Sequence, residues 1–337
     1  MNRTRTARLV SLGIIAVIFA IMLAYADLRK VAQAFTGIRW RWAVWVPVLN
    51  LANTFVEGLR LSVILFPVTR KLHIRNGFNA TLTGIIGNIM LPLRFGDGAK
   101  AYYVAKTEKI SLSSSFSALM LDRIADFFFF FVLMALTAML YPFPPSITKL
   151  GLIGGVLFAA SIAVIFALAG ISHKVCRNSA GKIRTRIARE VDHFMAGLSV
   201  MRKAGLLFPV LFLSVLSWVL RAAMIWFIFR AFRLPLPLIA TPVTLILLNF
   251  GVAVVSTPAN LGGFELATVG ALKLFSVEIA VGLSCALALH VIEVAPMLAF
   301  GIIWLWFEGF KTKDVLQTAR DAQMRPPEES ERRETTL

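Results

Sequence analysis

The chain has 337 residues, 58% hydrophobic and only 16% charged, with a mean hydropathy of +0.77. Soluble domains carry about 25% charged residues, and several stretches here meet the roughly 20 apolar residues a spanning helix needs, so the composition excludes a soluble domain and points to a polytopic membrane protein. The formal net charge of +17 fits cytoplasmic loops and anionic headgroups rather than nucleic acid, for which no basic folded domain is available.

A first span is expected over about 9–26, behind Arg3, Arg5 and Arg8, which place the amino terminus in the cytoplasm. It lacks a convincing small-residue cleavage site and reads as retained rather than as a secretory signal. A mixed-charge loop, 27–41, leads to Trp40, Trp42 and Trp45, an interfacial aromatic belt, and to a second span over about 42–67. Arg70, Lys71 and Arg75 follow without an acid, so that loop is expected inside.

The next apolar segment, 78–92, is short and holds Gly84, Gly87 and Pro92. It runs into Asn88-Ile-Met-Leu-Pro92-Leu-Arg94-Phe-Gly96-Asp97-Gly98-Ala-Lys100, a helix broken by proline and bearing charge. In lipid such a break is tolerated only where protein or a water-filled cavity covers it. Spans are expected at about 115–140, 150–171, 205–231 and 279–307. The loop 172–204 carries eight basic residues, from Lys174 to Lys203, against Glu190 and Asp192, the strongest cytoplasmic signal in the chain.

Working back from that loop, both ends of 78–110 fall on the cytoplasmic side. It is therefore expected to be a re-entrant hairpin, turning at Pro92–Gly98. A second hairpin, 238–276, breaks at Pro258, Asn260, Gly262 and Gly263 and is re-entrant from outside. The halves superpose at an offset drifting from 164 to 168: Asn53 and Glu57 fall on Ser217 and Arg221, Pro92 on Pro258, Asp122 on His290. The same order of elements in opposite orientation is the pattern of an inverted-topology repeat. The expected fold is all-α, a membrane helix bundle of about six full spans plus two re-entrant hairpins. Residues 1–312 form one integral membrane domain with halves at about 9–140 and 150–307, and 313–337 is a polar, disordered tail.

Charged groups recur inside the spans. Asn50, Asn53, Glu57 and Arg60 share one helix face, as do Asp122 and Asp126, with Arg123 reaching Asp126 at i+3. Arg221 lies beside Trp218, and His290 and Glu293 stand at i+3 before Pro296. A charge at the centre of a spanning helix costs roughly 2.5–3.5 kcal/mol, so these groups must face inward and pair. Pairing alone could simply hold helices together. The whole set, drawn from four spans and both hairpins, suggests a hydrated cavity. After each break a helix starts near Gly96 or Gly263, where unpaired N–H groups favour an anion such as phosphate, with Arg94 beside the first. Asp97 and Glu265 could instead cap those starts themselves. Phe127 to Phe131 reads as lipid-facing or packing surface, and the glycines at 151–155 and 251 as sites of close helix approach.

No Ser-His-Asp order, HExxH, paired CxxC or GxxxxGKS loop is present. Cys176 and Cys285 are too few and too isolated for a disulfide framework or a metal site. No catalytic residue, cofactor or metal is therefore expected.

Asn88-x3-Pro92-x3-Gly96-Asp97, then Asp122-Arg123-x2-Asp126, then Pro258-x3-Gly262-Gly263-x-Glu265, resembles the membrane region of bacterial lysylphosphatidylglycerol synthase and the stand-alone flippase-like proteins of that family. The resemblance covers about residues 10–310. It departs in having Asp97 where Glu is common and Asp122 where Glu is frequent, both conserving charge. It implies movement of a lipid between leaflets of the bacterial inner membrane, with both termini cytoplasmic. The aminoacyl-transferase domain follows the membrane part in that family, so the synthase activity is not carried over to this sequence. The expected partners are a phospholipid or lipid-linked substrate and anionic membrane lipids, and the substrate-binding set is Asn53, Glu57, Arg60, Asn88, Arg94, Asp97, Asp122, Arg123, Asp126, Arg221, Asn260, Glu265, His290 and Glu293. Two other classes stay open: an intramembrane enzyme acting on a lipid-linked substrate, and an accessory protein of a lipid or glycolipid pathway.

Overall fold

The computed structural model describes residues 28–90, 96–177, 204–254 and 257–307. The expected first span, Pro92, Arg94, most of the basic loop and the polar tail lie outside them. Among the described residues every regular element is helical. In order these are α1 (Leu28–Thr36), α2 (Trp40–Ala43), α3 (Trp45–Thr69), α4 (Ile74–Met90), α5 (Gly96–Glu108), α6 (Leu112–Leu140), α7 (Pro145–Arg177), α8 (Ala204–Ala231), α9 (Ala240–Val254), a 3-10 turn (Pro258–Asn260), α10 (Gly263–Lys273) and α11 (Ile279–Phe307).

Among the described residues, five stretches are long and apolar enough to cross a membrane: Trp40–Thr69 (α2 with α3), Leu112–Leu140, Pro145–Val164, Gly205–Ala231 and Ile279–Trp304. Their boundaries follow local chemistry. Ser111 accepts the Ser114 N–H at 3.1 Å and starts α6. Pro145 opens α7 at a position whose N–H would have no helical partner. Arg70 closes α3 in a left-handed conformation. Two expectations need correction. The loop 27–41 contains the helix α1, and α7 continues to Arg177, drawing Lys174 and Arg177 out of the basic loop into a helix.

α3 and α8 form the spine, and they run antiparallel. Arg39 N–H meets Ala231 O at 2.9 Å near one end, and Arg60 meets Ser214 at 3.0 Å towards the other. Around them α4 with α5, and α9 with α10, form two hairpins of short helices. In the first, His73 and Asn76 at the start both bond Glu108 at the finish, so the hairpin begins and ends at the same place. That root adjoins the start of α6. Phe275, just past α10, stacks on Tyr141 at the end of α6 with centroids 5.2 Å apart. The two hairpins are thus rooted at opposite ends of α6, and the 3-10 turn at the second tip packs against α4.

Close approach explains the glycines. A methyl on Gly87 would lie 2.7 Å from Gly96 Cα, and one on Gly251 would lie 2.4 Å from Ala267 Cβ. The aromatic run divides: Phe127 and Phe128 are exposed, while Phe130 is buried against Trp218 and Phe250. Gly154 and Gly155 take the Phe131 ring in ordinary contact.

Candidate functional site: a buried ionic centre and a second, smaller cluster

Four helices contribute to the centre. α3 brings Asn53, Glu57 and Arg60 on one face, because spacings of 3 and 4 put residues above one another on a helix. α6 brings Asp122, Arg123 and Asp126, α8 brings Ser214, Ser217 and Arg221, and α5 brings Asp97 and Lys100.

Arg60 is the hub. Its Nε donates to Asp122 Oδ1 and its Nη1 to Asp126 Oδ1, both at 2.7 Å, and Nη1 also donates to Ser214 Oγ at 3.0 Å. The Arg60 side chain is 1% exposed and that of Asp122 is 3%. Lys100 Nζ reaches the other Asp122 oxygen at 3.4 Å. The guanidinium forks across two carboxylates on one helix face, a geometry lysine cannot reproduce.

Glu57 Oε1 accepts from Arg221 and, at 2.9 Å, from Asn53 Nδ2. Ser217 Oγ donates to Asn53 Oδ1 at 2.7 Å. Arg221 also lies over the Trp218 ring, 5.3 Å from its centroid. At the outer side Arg123 Nη2 donates to Asp97 Oδ1 at 2.7 Å, with side chains 46% and 44% exposed, and Arg123 lies 3.7 Å from Asp126. Among the described residues the centre therefore holds four cationic and four acidic side chains, graded from the sealed Arg60–Asp122 pair, through Glu57 and Arg221, to the half-open Arg123–Asp97 pair.

The second cluster is separate. His290 on α11 approaches Glu265 Oε1 with Nδ1 at 2.6 Å and donates from Nε2 to Ala259 O at 2.8 Å. Gly262 N–H donates to the other Glu265 oxygen at 2.7 Å, and Phe264 stacks on the imidazole at 4.4 Å. Asn260 enters through its backbone, N–H to Thr257 O at 3.0 Å. Glu293 lies between the clusters, within electrostatic range of His290, Arg221 and Glu57, and its carbonyl accepts from Asn50 Nδ2.

The helix starts are less open to an anion than their sequence suggests. Asn88 Oδ1 takes the Gly96 N–H at 2.9 Å, and Glu265 takes that of Gly262. For Glu265 the capping alternative is the observed one, whereas Asp97 turns to Arg123. Lys100 was not among the expected site residues, although it ends the very stretch that was singled out. It shares its stretch of sequence with Lys106 and Lys109, yet it is buried. Ser217 enters the sequence reading only as the repeat partner of Asn53.

Long apolar helices around a graded ionic centre, with charged short-helix hairpins between them, define a polytopic membrane protein. The lysylphosphatidylglycerol synthase TM region family matches residues 8–301, and the chain belongs to that family. The chain is also similar to a UPF0104 membrane protein of Methanocaldococcus jannaschii, 24% identical over 281 residues that cover 78% of this chain and 83% of the relative. No solved structure gives a significant match.

Proposed function

We propose that the protein moves a lipid with a polar, phosphate-bearing headgroup between leaflets, without changing it chemically. The observation that carries this reading is the exposure gradient of the ionic centre. Sealed charges that only glued helices together would need no half-open pair in register with them. The Arg123–Asp97 pair receives the headgroup, Arg221 and Glu57 take it inward, and Arg60, Lys100, Asp122 and Asp126 keep the floor of the site charged while acyl chains stay in lipid. Apolar side chains such as Leu152, Val156, Phe208 and Val219 face outward, as a lipid-facing surface requires.

The two hairpins are re-entrant from opposite faces in this reading and exchange access between them. Their rooting at opposite ends of α6 supports that, as does the antiparallel meeting of residues 164 apart, Asn53 with Ser217 and Glu57 with Arg221. Both termini lie in the cytoplasm, and the membrane is a bacterial inner membrane.

The test is leaflet-resolved lipid labelling in reconstituted vesicles, comparing wild type with Arg123→Ala and Glu57→Gln. Both variants should slow translocation at least about tenfold, the effect of roughly 1.4 kcal/mol on one step. Rates equal to wild type would remove these residues from the path. A chemically altered lipid on mass spectrometry would favour an intramembrane enzyme instead.

A further inference from the structure

Each of the two hairpins is tied to the long helix that follows it by a buried polar contact. In the first, the hairpin supplies the cation, Lys100, and α6 supplies Asp122. In the second, the hairpin supplies Glu265 and α11 supplies His290. Asp122 and His290 stand 168 apart, as do Asp97 and Glu265. The first tie is built from lysine, arginine and aspartate side chains. Only the second contains a group that exchanges a proton near neutrality.

The bonding pattern sets the number of protons. Ala259 O can only accept, so the His290 Nε2 facing it at 2.8 Å carries hydrogen. That leaves Nδ1 facing Glu265 Oε1 at 2.6 Å. One proton must lie in this contact, on whichever atom, because without it a nitrogen lone pair would face a carboxylate lone pair. Both side chains are almost fully buried. The backbone they hold is unfavourable by itself: Ala259 and Asn260 have φ of 54° and 59°, a region non-glycine residues rarely adopt. Charged neighbours are Glu265 from α10 and Glu293 on α11 itself, with Glu57 of α3 and Arg221 of α8 acting in turn on Glu293.

We infer that the Glu265–His290 contact is a proton-binding site, and that the proton it holds latches the tip of the second hairpin. Binding adds one proton to the Nδ1···Oε1 contact and breaks no covalent bond. Loss of that proton sets two lone pairs against each other and lets the strained Ala259–Asn260 turn relax away from α11. The buried tie of the first hairpin to its following helix, Lys100 to Asp122, contains no histidine. The inference rests on the transport reading for its purpose, since a proton-operated hairpin on one face would couple lipid movement to a proton gradient.

The test reads the hairpin without moving lipid, so its failure is distinct from failure of the transport reading. A spin label is attached at Leu261→Cys in a Cys176→Ser background, where native Cys285 is sealed in the core. Full-length protein is reconstituted in phosphatidylethanolamine–phosphatidylglycerol vesicles, and spectra are taken from about pH 5 to about pH 9. The mobile fraction should rise with pH in a single-proton step, from under about a tenth to more than about half. Glu265→Gln should hold the label immobile at every pH, since the amide can donate to Nδ1 and its oxygen still accept from Gly262. A mobile fraction that does not change with pH in the otherwise native chain, or that rises towards acid, would overturn the inference, and that titration decides even if the glutamine variant does not fold. A pH step unchanged in Glu265→Gln would overturn it equally.

Discussion

Arg60 and Asp122 lie 2.7 Å apart, and neither side chain has meaningful contact with solvent. Such a pair gains little over apolar residues of the same size, because desolvation offsets most of the attraction. Breaking it is a different matter. Arg60→Met removes the closest cation from Asp122 and Asp126, leaving Lys100, Arg123 and Arg221 at 3.4–3.9 Å, and should destabilise the protein by about 3–5 kcal/mol. Thermal unfolding in detergent, followed by tryptophan fluorescence, checks it. A change within about 0.5 kcal/mol, typical of a neutral surface position, would show that the site is wetter than its burial implies.

The outer pair should behave in the opposite way. Arg123 and Asp97 are both nearly half exposed, and exposed pairs contribute about 0–1 kcal/mol. Arg123→Ala should therefore leave the unfolding temperature almost unchanged while lipid translocation falls. Loss of stability equal to that of Arg60→Met would mark Arg123 as part of the framework instead.

Glu57 and Arg221 should show direct coupling. Single replacements Glu57→Gln and Arg221→Gln, with the double variant, close a thermodynamic cycle. Contacting partners in one network give an interaction energy of about 0.5–3 kcal/mol. Additive effects, measured on unfolding in detergent, would mean the two groups do not pair in solution.

Helix approach in the first hairpin depends on two hydrogens. Gly96→Ala would drive a methyl to 2.1 Å from Gly84 O, whereas one at Gly270 meets nothing within 4 Å. Gly96→Ala should cost about 1–3 kcal/mol from overpacking, and Gly270→Ala should be neutral or slightly stabilising through helix propensity. Equal unfolding temperatures for the two variants would show that α4 and α5 are not in close contact.

Asn88→Ala removes the acceptor of the Gly96 N–H. The expected loss is about 0.5–2 kcal/mol, the range for capping side chains. Asn88→Asp, which keeps the acceptor, should recover most of it in the same unfolding assay.

Much of this architecture is readable from one-dimensional pattern. Apolar runs locate the long helices because length in lipid is set by bilayer thickness, and Gly96 and Gly263 mark where the second helix of each hairpin starts because backbone chemistry is local. The face shared by Asn53, Glu57 and Arg60 is likewise a matter of helical spacing. What spacing does not contain is the partner. That Arg60 forks onto Asp122 and Asp126, that Lys100 leaves its basic run to join them, and that Glu265 turns back onto Gly262 all depend on how helices distant in sequence lie against each other. The helix α1 escaped notice for a related reason: its mixed charges give no apolar run to set it apart from a loop.

The crossing of α3 and α8 carries one last consequence. There Glu57 meets Arg221, the residue 164 places on. If two identical chains were inserted head to tail, the same crossing would set acid on acid or base on base, and the arrangement would repel itself. In this polypeptide the two positions carry opposite charges instead, so the crossing attracts.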